Sequence, residues 1–215
     1  MRLSRYHAIG ALMAGATILA AGVSAQAAMV DPNDAALKEA VKWGETKFDQ
    51  HPTAFKWDYF VTLGLGYPDV TLRTRYFAVA DYVRRSEFQR KFGTQRVHQL
   101  NDARIKAATE EVVGGLQFII GHVGPTDDFL KAYEFSLKVG DKTLKPIDVA
   151  APSIANPSGF MGAIAFAGEA IVDFDAAGLK GDEKLVLVIK APDGRGPSGS
   201  KNAPFEIPFD LSKVK

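Results

Sequence analysis

At Gly114-Gly115 the apolar period of this chain changes from three or four residues to two, and it does not change back. Before that point Leu72, Tyr76, Val79 and Val83, then Val97, Leu100, Ile105, Ala108 and Val112, recur at helical spacing. After it come segments that alternate or run apolar between Gly, Pro and Asp. They are LQFIIGHVGP, AYEFSLKVG, KTLKPIDVA, FMGAIAFAGEAIVDFD, KLVLVIK and PFEIPFDL. A chain patterned in this way must bury sheet faces against one another, with its helices set apart from them.

The strands read as follows. In AYEFSLKVG, Tyr133, Phe135, Leu137 and Val139 share a face, and Gly140-Asp141 forms a tight turn into KTLKPIDVA. A loop, APSIANPSG, separates KTLKPIDVA from FMGAIAFAGEAIVDFD, which is one long bent strand or two. KLVLVIK is continuously apolar, as a strand covered on both faces would be. Phe205, Ile207, Phe209 and Leu211 alternate with polar residues and proline, and Pro204 and Pro208 assign this last strand to an edge. FKWDYFVTLGLGYP reads as an earlier strand of about eight residues, and YFVTLGLGYPD echoes QFIIGHVGPTD as if both lay in one sheet.

The helices begin at Asp31-Pro32-Asn33-Asp34, with Leu37, Val41, Gly44 and Phe48 on one stripe. Pro68 opens the next helix, Ser86-x-x-Gln89 resembles a capping box at which it breaks, and a further helix covers about Thr94 to Val112. The expected fold is therefore α+β: a mainly antiparallel β-sandwich, immunoglobulin-like, of about seven strands. Helices stand at its N-terminus and between its first two strands, mainly over residues 34–50 and 68–112, with β-rich segments at 55–66 and 115–212. Two units, helical to about residue 112 and β beyond it, are the alternative.

The first residues have the pattern of a processing signal. Arg2 and Arg5 precede an uncharged apolar run from Ala8 to Val23, and Ala25-Gln26-Ala27 follows. The run is shorter than the roughly 20 residues of a membrane-spanning helix. Residues 1–28 are thus expected to be removed, leaving one exported domain over 29–215, periplasmic or secreted. The chain has no cysteine, which excludes lipoprotein acylation, disulfides and thiolate chemistry. No later apolar stretch is long enough to span a bilayer.

Charge is balanced overall, at a formal +1, which argues against nucleic acid as a partner. It is unevenly spread. Between Thr71 and Lys106 nine basic residues face three acidic ones. Arg73, Arg84, Arg85, Arg90 and Arg96 are the candidate binding residues, for an anionic headgroup, a polyanionic glycan or an acidic envelope protein. The simpler reading is a solvated helical face paired with the acidic β part of the same chain.

No motif signals catalysis. Gly194, Gly196 and Gly199 match G-x-G-x-x-G, but Pro197 interrupts them and a strand pattern follows, so the segment reads as a hairpin loop without a nucleotide. His98 and Asp102 stand at i and i+4 without a third metal ligand, and His122 reads as structural. Asp173 and Asp175 share a strand face, Asp127-Asp128 form a second pair, and Ser153 and Ser158 lie in no nucleophile elbow. Trp43 and Trp57 read as core fillers near the helix–sheet junction. No cofactor, metal or catalytic residue is expected. The functional expectation is a non-catalytic binding or interaction module of unknown ligand. The alternatives are a carboxylate- or metal-dependent hydrolase of envelope glycans, with Asp173, Asp175 and His122 in one cleft, and an envelope assembly accessory joined through its last strand.

Overall fold

The computed structural model describes residues 30–64, 66–93, 101–151, 156–160, 163–192 and 203–214. The processing segment, Arg96, His98, Ser153 and the three glycines of the Gly-rich segment lie outside the described residues. The chain is mixed α+β, with its strands in two antiparallel sheets. Among the described residues, one sheet has six strands and the other four.

Helix α1 (Asp34–Thr46) begins where the sequence places it, and Asn33 caps it by accepting from the Ala36 amide. The next segment departs from the expected strand. Pro52–Phe55 is a helical turn, α2, with Pro52 in its first turn and the His51 side chain accepting from Thr53 N–H. A 3-10 turn at Trp57–Tyr59 follows, leaving only Phe60–Val61 as strand β1. Phe55 and Tyr59, four apart, are buried together against Trp43, whose ring stacks on Phe55 at 4.4 Å. Trp57 is 67% exposed, so it is no core filler.

Pro68 does not open a helix. Strand β2 (Asp69–Thr74) comes first, paired residue for residue with β3 (Gly115–Gly124) from Asp69↔Gly121 to Thr74↔Leu116. Thr74 then caps helix α3 (Arg75–Phe92) by accepting from Phe77 N–H. Leu72, Tyr76, Val79 and Val83 thus straddle a strand–helix junction, because sheet pairing claims the first of them. The helix runs through Ser86-Glu87 unbroken, and Arg90 bonds back to Glu87 across that point. Asn101 caps α4 (Asp102–Glu110), and residues 94–100 of the helix expected over Thr94–Val112 lie outside the described residues.

Beyond Gly115 the strands are β4 (Glu134–Val139), β5 (Lys142–Leu144), β6 (Asp148–Ala150), β7 (Asn156–Phe160), β8 (Ala163–Asp175), β9 (Lys184–Lys190) and β10 (Phe205–Asp210). Gly140, at φ +56°, permits the two-residue turn between β4 and β5. KTLKPIDVA is not one strand: β5 and β6 belong to different sheets, and the chain crosses between them at Lys145-Pro146-Ile147. Part of the expected loop APSIANPSG is β7, held against the first half of β8. These divisions raise the count from about seven to ten among the described residues, in the orders β1-β2-β3-β8-β6, with β7 also on β8, and β10-β9-β4-β5.

KLVLVIK is also not covered on both faces. Leu185, Leu187 and Ile189 are fully buried while Val186 and Val188 are half-exposed beside Lys138, Glu206 and Pro208 on the neighbouring strands. As expected, β10 is an edge strand and contains Pro208. The inward faces of the sheets meet through Phe118, which lies edge-on to Phe174 at 5.7 Å and to Phe209 at 5.4 Å. Helix and sheet residues join one apolar cluster.

Candidate functional site

The outward face of the six-stranded sheet follows from the register. Phe118 points to the other sheet, so its neighbours Gln117, Ile119 and Gly121 point away from it. Three cross-strand rows result. Asp69, Gly121 and Glu169 form one, Thr71, Ile119 and Ile171 the next, and Arg73, Gln117, Asp173 and Asp148 the third. The first and third rows stand about 13 Å apart along the strands.

Helices α2 and α3 stand beside this face and leave an open cleft of about 670 Å³. Asp69, Thr71, Arg73, Ile119, Gly121 and Glu169 form its floor. Phe77, Asp81, Arg84 and Arg85 of α3 line one wall, with Lys56 and Phe60 opposite them in sequence but in the same cleft. Three of the five arginines singled out from the sequence therefore converge here: Arg73, Arg84 and Arg85. Arg90 lies outside the lining, beside exposed Phe88 and Phe92, and Arg96 is outside the described residues.

The arginines differ sharply in environment. Arg73 Nη1 donates to Gln117 Oε1 at 2.8 Å and Nη2 to Glu111 Oε2 at 3.0 Å. Arg84 is buried, donates to Asp81 Oδ1 and the Gln50 carbonyl, and lies 5.0 Å over the Phe55 ring. Arg85 is exposed and meets Asp81 Oδ2 at 3.1 Å. Arg90 grips Glu87 with two nitrogens and holds that carboxyl below its usual range through hydrogen bonding. Their carboxylate partners are thus Asp81, Glu87 and Glu111, all in the helical part. Arg84, Arg85 and Arg90 pair with carboxylates three or four residues away on their own helix rather than with the acidic β segment.

The third row contains two buried polar groups that sequence reading did not find as a pair. Gln117 Nε2 donates to the Glu111 carbonyl at 3.0 Å and to Asp173 Oδ1 at 3.2 Å, while its Oε1 receives Arg73. Burial raises the Asp173 pKa and nearby Asp148 adds to the rise, although the Gln117 bond opposes it. A raised carboxyl pKa means that the folded chain holds the proton more tightly than the unfolded one. Its effect on stability is therefore unfavourable and sets in as pH rises from about 4, the unfolded value, through the folded one. Asp173→Asn removes that loss. Denaturant midpoints measured from acid to neutral pH should show the variant gaining on the parent as pH rises; parallel curves would contradict the assignment.

The other candidates do not assemble. His122 lies on the opposite sheet face from Asp173, with its ring 5.6 Å from Phe205 and 6.2 Å from Phe129. Asp173, Asp175 and His122 therefore share no cleft. Asp102 opens α4, and Ser158 is in β7. Among the described residues, no group of three or more His, Cys, Asp or Glu side chains could hold a metal ion, and no helix is long and apolar enough to cross a membrane. The Gly-rich segment joins two antiparallel strands, β9 and β10, rather than a strand to a helix.

The floor residues Asp69, Gly121 and Glu169 are the ones the sequence concealed. A glycine inside the apolar strand LQFIIGHVG was the available signal, since glycine in a strand interior often marks close approach of a ligand or another backbone. A second groove of similar size lies between α1 and α4, over Leu37, Val41 and Ile105. Among the described residues, its lining includes none of the candidate arginines. Comparison with protein-family models, with curated proteins and with solved structures finds no match for this chain.

Proposed function

We propose that this chain is an exported, non-catalytic binding module that takes its ligand in the cleft between the six-stranded sheet and helices α2 and α3. The observation that carries the proposal is the convergence of Arg73, Arg84 and Arg85 with Lys56, Asp69 and Glu169 around a floor left open at Gly121. A Cβ at Gly121 would meet nothing nearer than the Asp69 carbonyl oxygen at 3.9 Å, so the protein itself does not require glycine there. A concave cleft with a few convergent polar groups is where a small ligand is oriented.

Export rests on the leader pattern of residues 1–28. The immunoglobulin-like reading of the sandwich is supported by strand order. The succession β2-β3-β8-β6 opposite β10-β9-β4-β5 parallels A-B-E-D opposite G-F-C in immunoglobulin domains, with one strand added beside C. In those terms α3 and α4 are an insertion between the A and B strands. That insertion builds the cleft wall.

Gly121→Val tests the proposal. Valine suits a strand interior and fills the floor without touching the core. In a thermal-shift screen of envelope metabolites and glycan fragments, compounds that stabilise the parent should fail to stabilise the variant. Hits that stabilise both equally would place binding elsewhere.

A further inference from the structure

We infer that the ligand of this cleft is an organic cation, seated through ammonium or guanidinium groups between Asp69 and Glu169; the inference rests on the cleft being the binding site. The argument is a count of charges. Four cations and four carboxylates line the cleft, and they are not equally engaged. Arg73 is held by Glu111 and Gln117, and Arg84 and Arg85 share Asp81. Lys56 donates to Thr71 Oγ1 at 3.3 Å and lies 4.3 Å over the Phe60 ring. An anionic ligand would find only Lys56 without a carboxylate partner, and would have to displace Glu111 or Asp81 to reach the arginines.

Asp69 and Glu169 are placed differently. Both are exposed, and neither has a side-chain hydrogen bond or ion pair among the described residues. They sit on β2 and β8 with β3 between them, so their backbones are two strand spacings apart, roughly 9–10 Å. The residue between them is Gly121, which contributes no side chain to the floor. Half-buried Ile119 and Phe60 border the gap. A cationic head fits over Gly121 within reach of both carboxylates, with its aliphatic part toward Ile119. An elongated diammonium chain matches this spacing by placing one charge against each carboxylate.

The test uses calorimetry with the mature chain at constant ionic strength. Spermidine is the cationic probe, inositol hexakisphosphate the anionic one, and calcium the inorganic one. The variants are the Asp69→Asn/Glu169→Gln double and Gly121→Val. Expected is binding of spermidine that weakens about tenfold or more, a loss of about 1.4 kcal/mol or more, in each variant. The double variant keeps the parent's melting temperature, because it removes no internal contact. No spermidine binding at millimolar concentration overturns the inference, as does binding unchanged in the double variant. Calcium binding without spermidine binding overturns it too. Binding of the phosphate probe that Gly121→Val abolishes, without a spermidine response, overturns the cationic assignment while leaving the cleft as the site. Binding indifferent to Gly121→Val sinks both.

Discussion

Arg84→Glu should lower the unfolding free energy by about 3–5 kcal/mol, whereas Arg85→Glu, one residue further on, should change it by less than about 1 kcal/mol. The two arginines share one counterion, Asp81, and belong to one basic run, yet their surroundings differ. Arg84 is 6% exposed, donates to the Asp81 carboxylate and the Gln50 carbonyl, and covers the Phe55 ring. A glutamate there meets a carboxylate, a carbonyl oxygen and the negative face of an aromatic ring, with little water to screen it. Arg85 has a side chain 56% exposed, so reversing its charge costs one screened surface pair. Arg84→Met, which keeps the stem and loses the donors, should fall between them, at about 1–3 kcal/mol. Urea midpoints for the three variants check the order; equal effects at 84 and 85 would show that Arg84 is not buried as described. It follows that Arg85, not Arg84, is the position at which a binding role can be probed without unfolding the chain.

Gly44 carries the second large effect. It lies where α1 crosses α3, and a Cβ there would collide with the Ala80 carbonyl oxygen and lie 2.8 Å from Val83 Cβ and 3.0 Å from the Arg84 amide nitrogen. The first and last of these are backbone atoms, which cannot turn aside. By propensity alone, Gly44→Ala would stabilise a helix by about 1 kcal/mol. Overpacking costs about 1–3 kcal/mol and should outweigh it, so the alanine variant is expected to be less stable than the parent. Gly44→Leu should exceed the upper end of that range and separate α1 from α3. A denaturation midpoint that rises in the alanine variant would contradict the close crossing.

How much of this was legible in the sequence depends on which forces set each element. The change of period after Gly115, the turn at Gly140-Asp141 and the edge position of Pro208 are local chemistry, and they are found where the pattern puts them. The helix at Asp34 carries its own cap. Segment 55–61 was misleading because Phe55 and Tyr59 fit a helical turn, while the aromatic and β-branched composition fits a strand. Pro52 and the His51 cap decide in favour of the turn. Leu72 fits both the strand it belongs to and the helix that follows, and only pairing with Phe118 of β3 separates them.

The site divides in the same way. Basic side chains were visible as residue types, and the pairing of Asp81 with Arg84 and Arg85 was readable from spacings of three and four. The row Asp69, Gly121, Glu169 was not readable, because its members are far apart in sequence and meet through register alone. A shift of one residue in that pairing would send each of them to the core face.

The central claim is that the cleft on the outward face of the six-stranded sheet is where a ligand sits. Backbone amide shifts of the isotope-labelled chain, titrated with a compound found in the thermal-shift screen, test it most directly. The account predicts that the largest changes fall on Thr71, Arg73, Ile119, Gly121 and Glu169. Changes confined to the groove at Leu37, Val41 and Ile105, or to the β10 edge at Glu206 to Asp210, would contradict it.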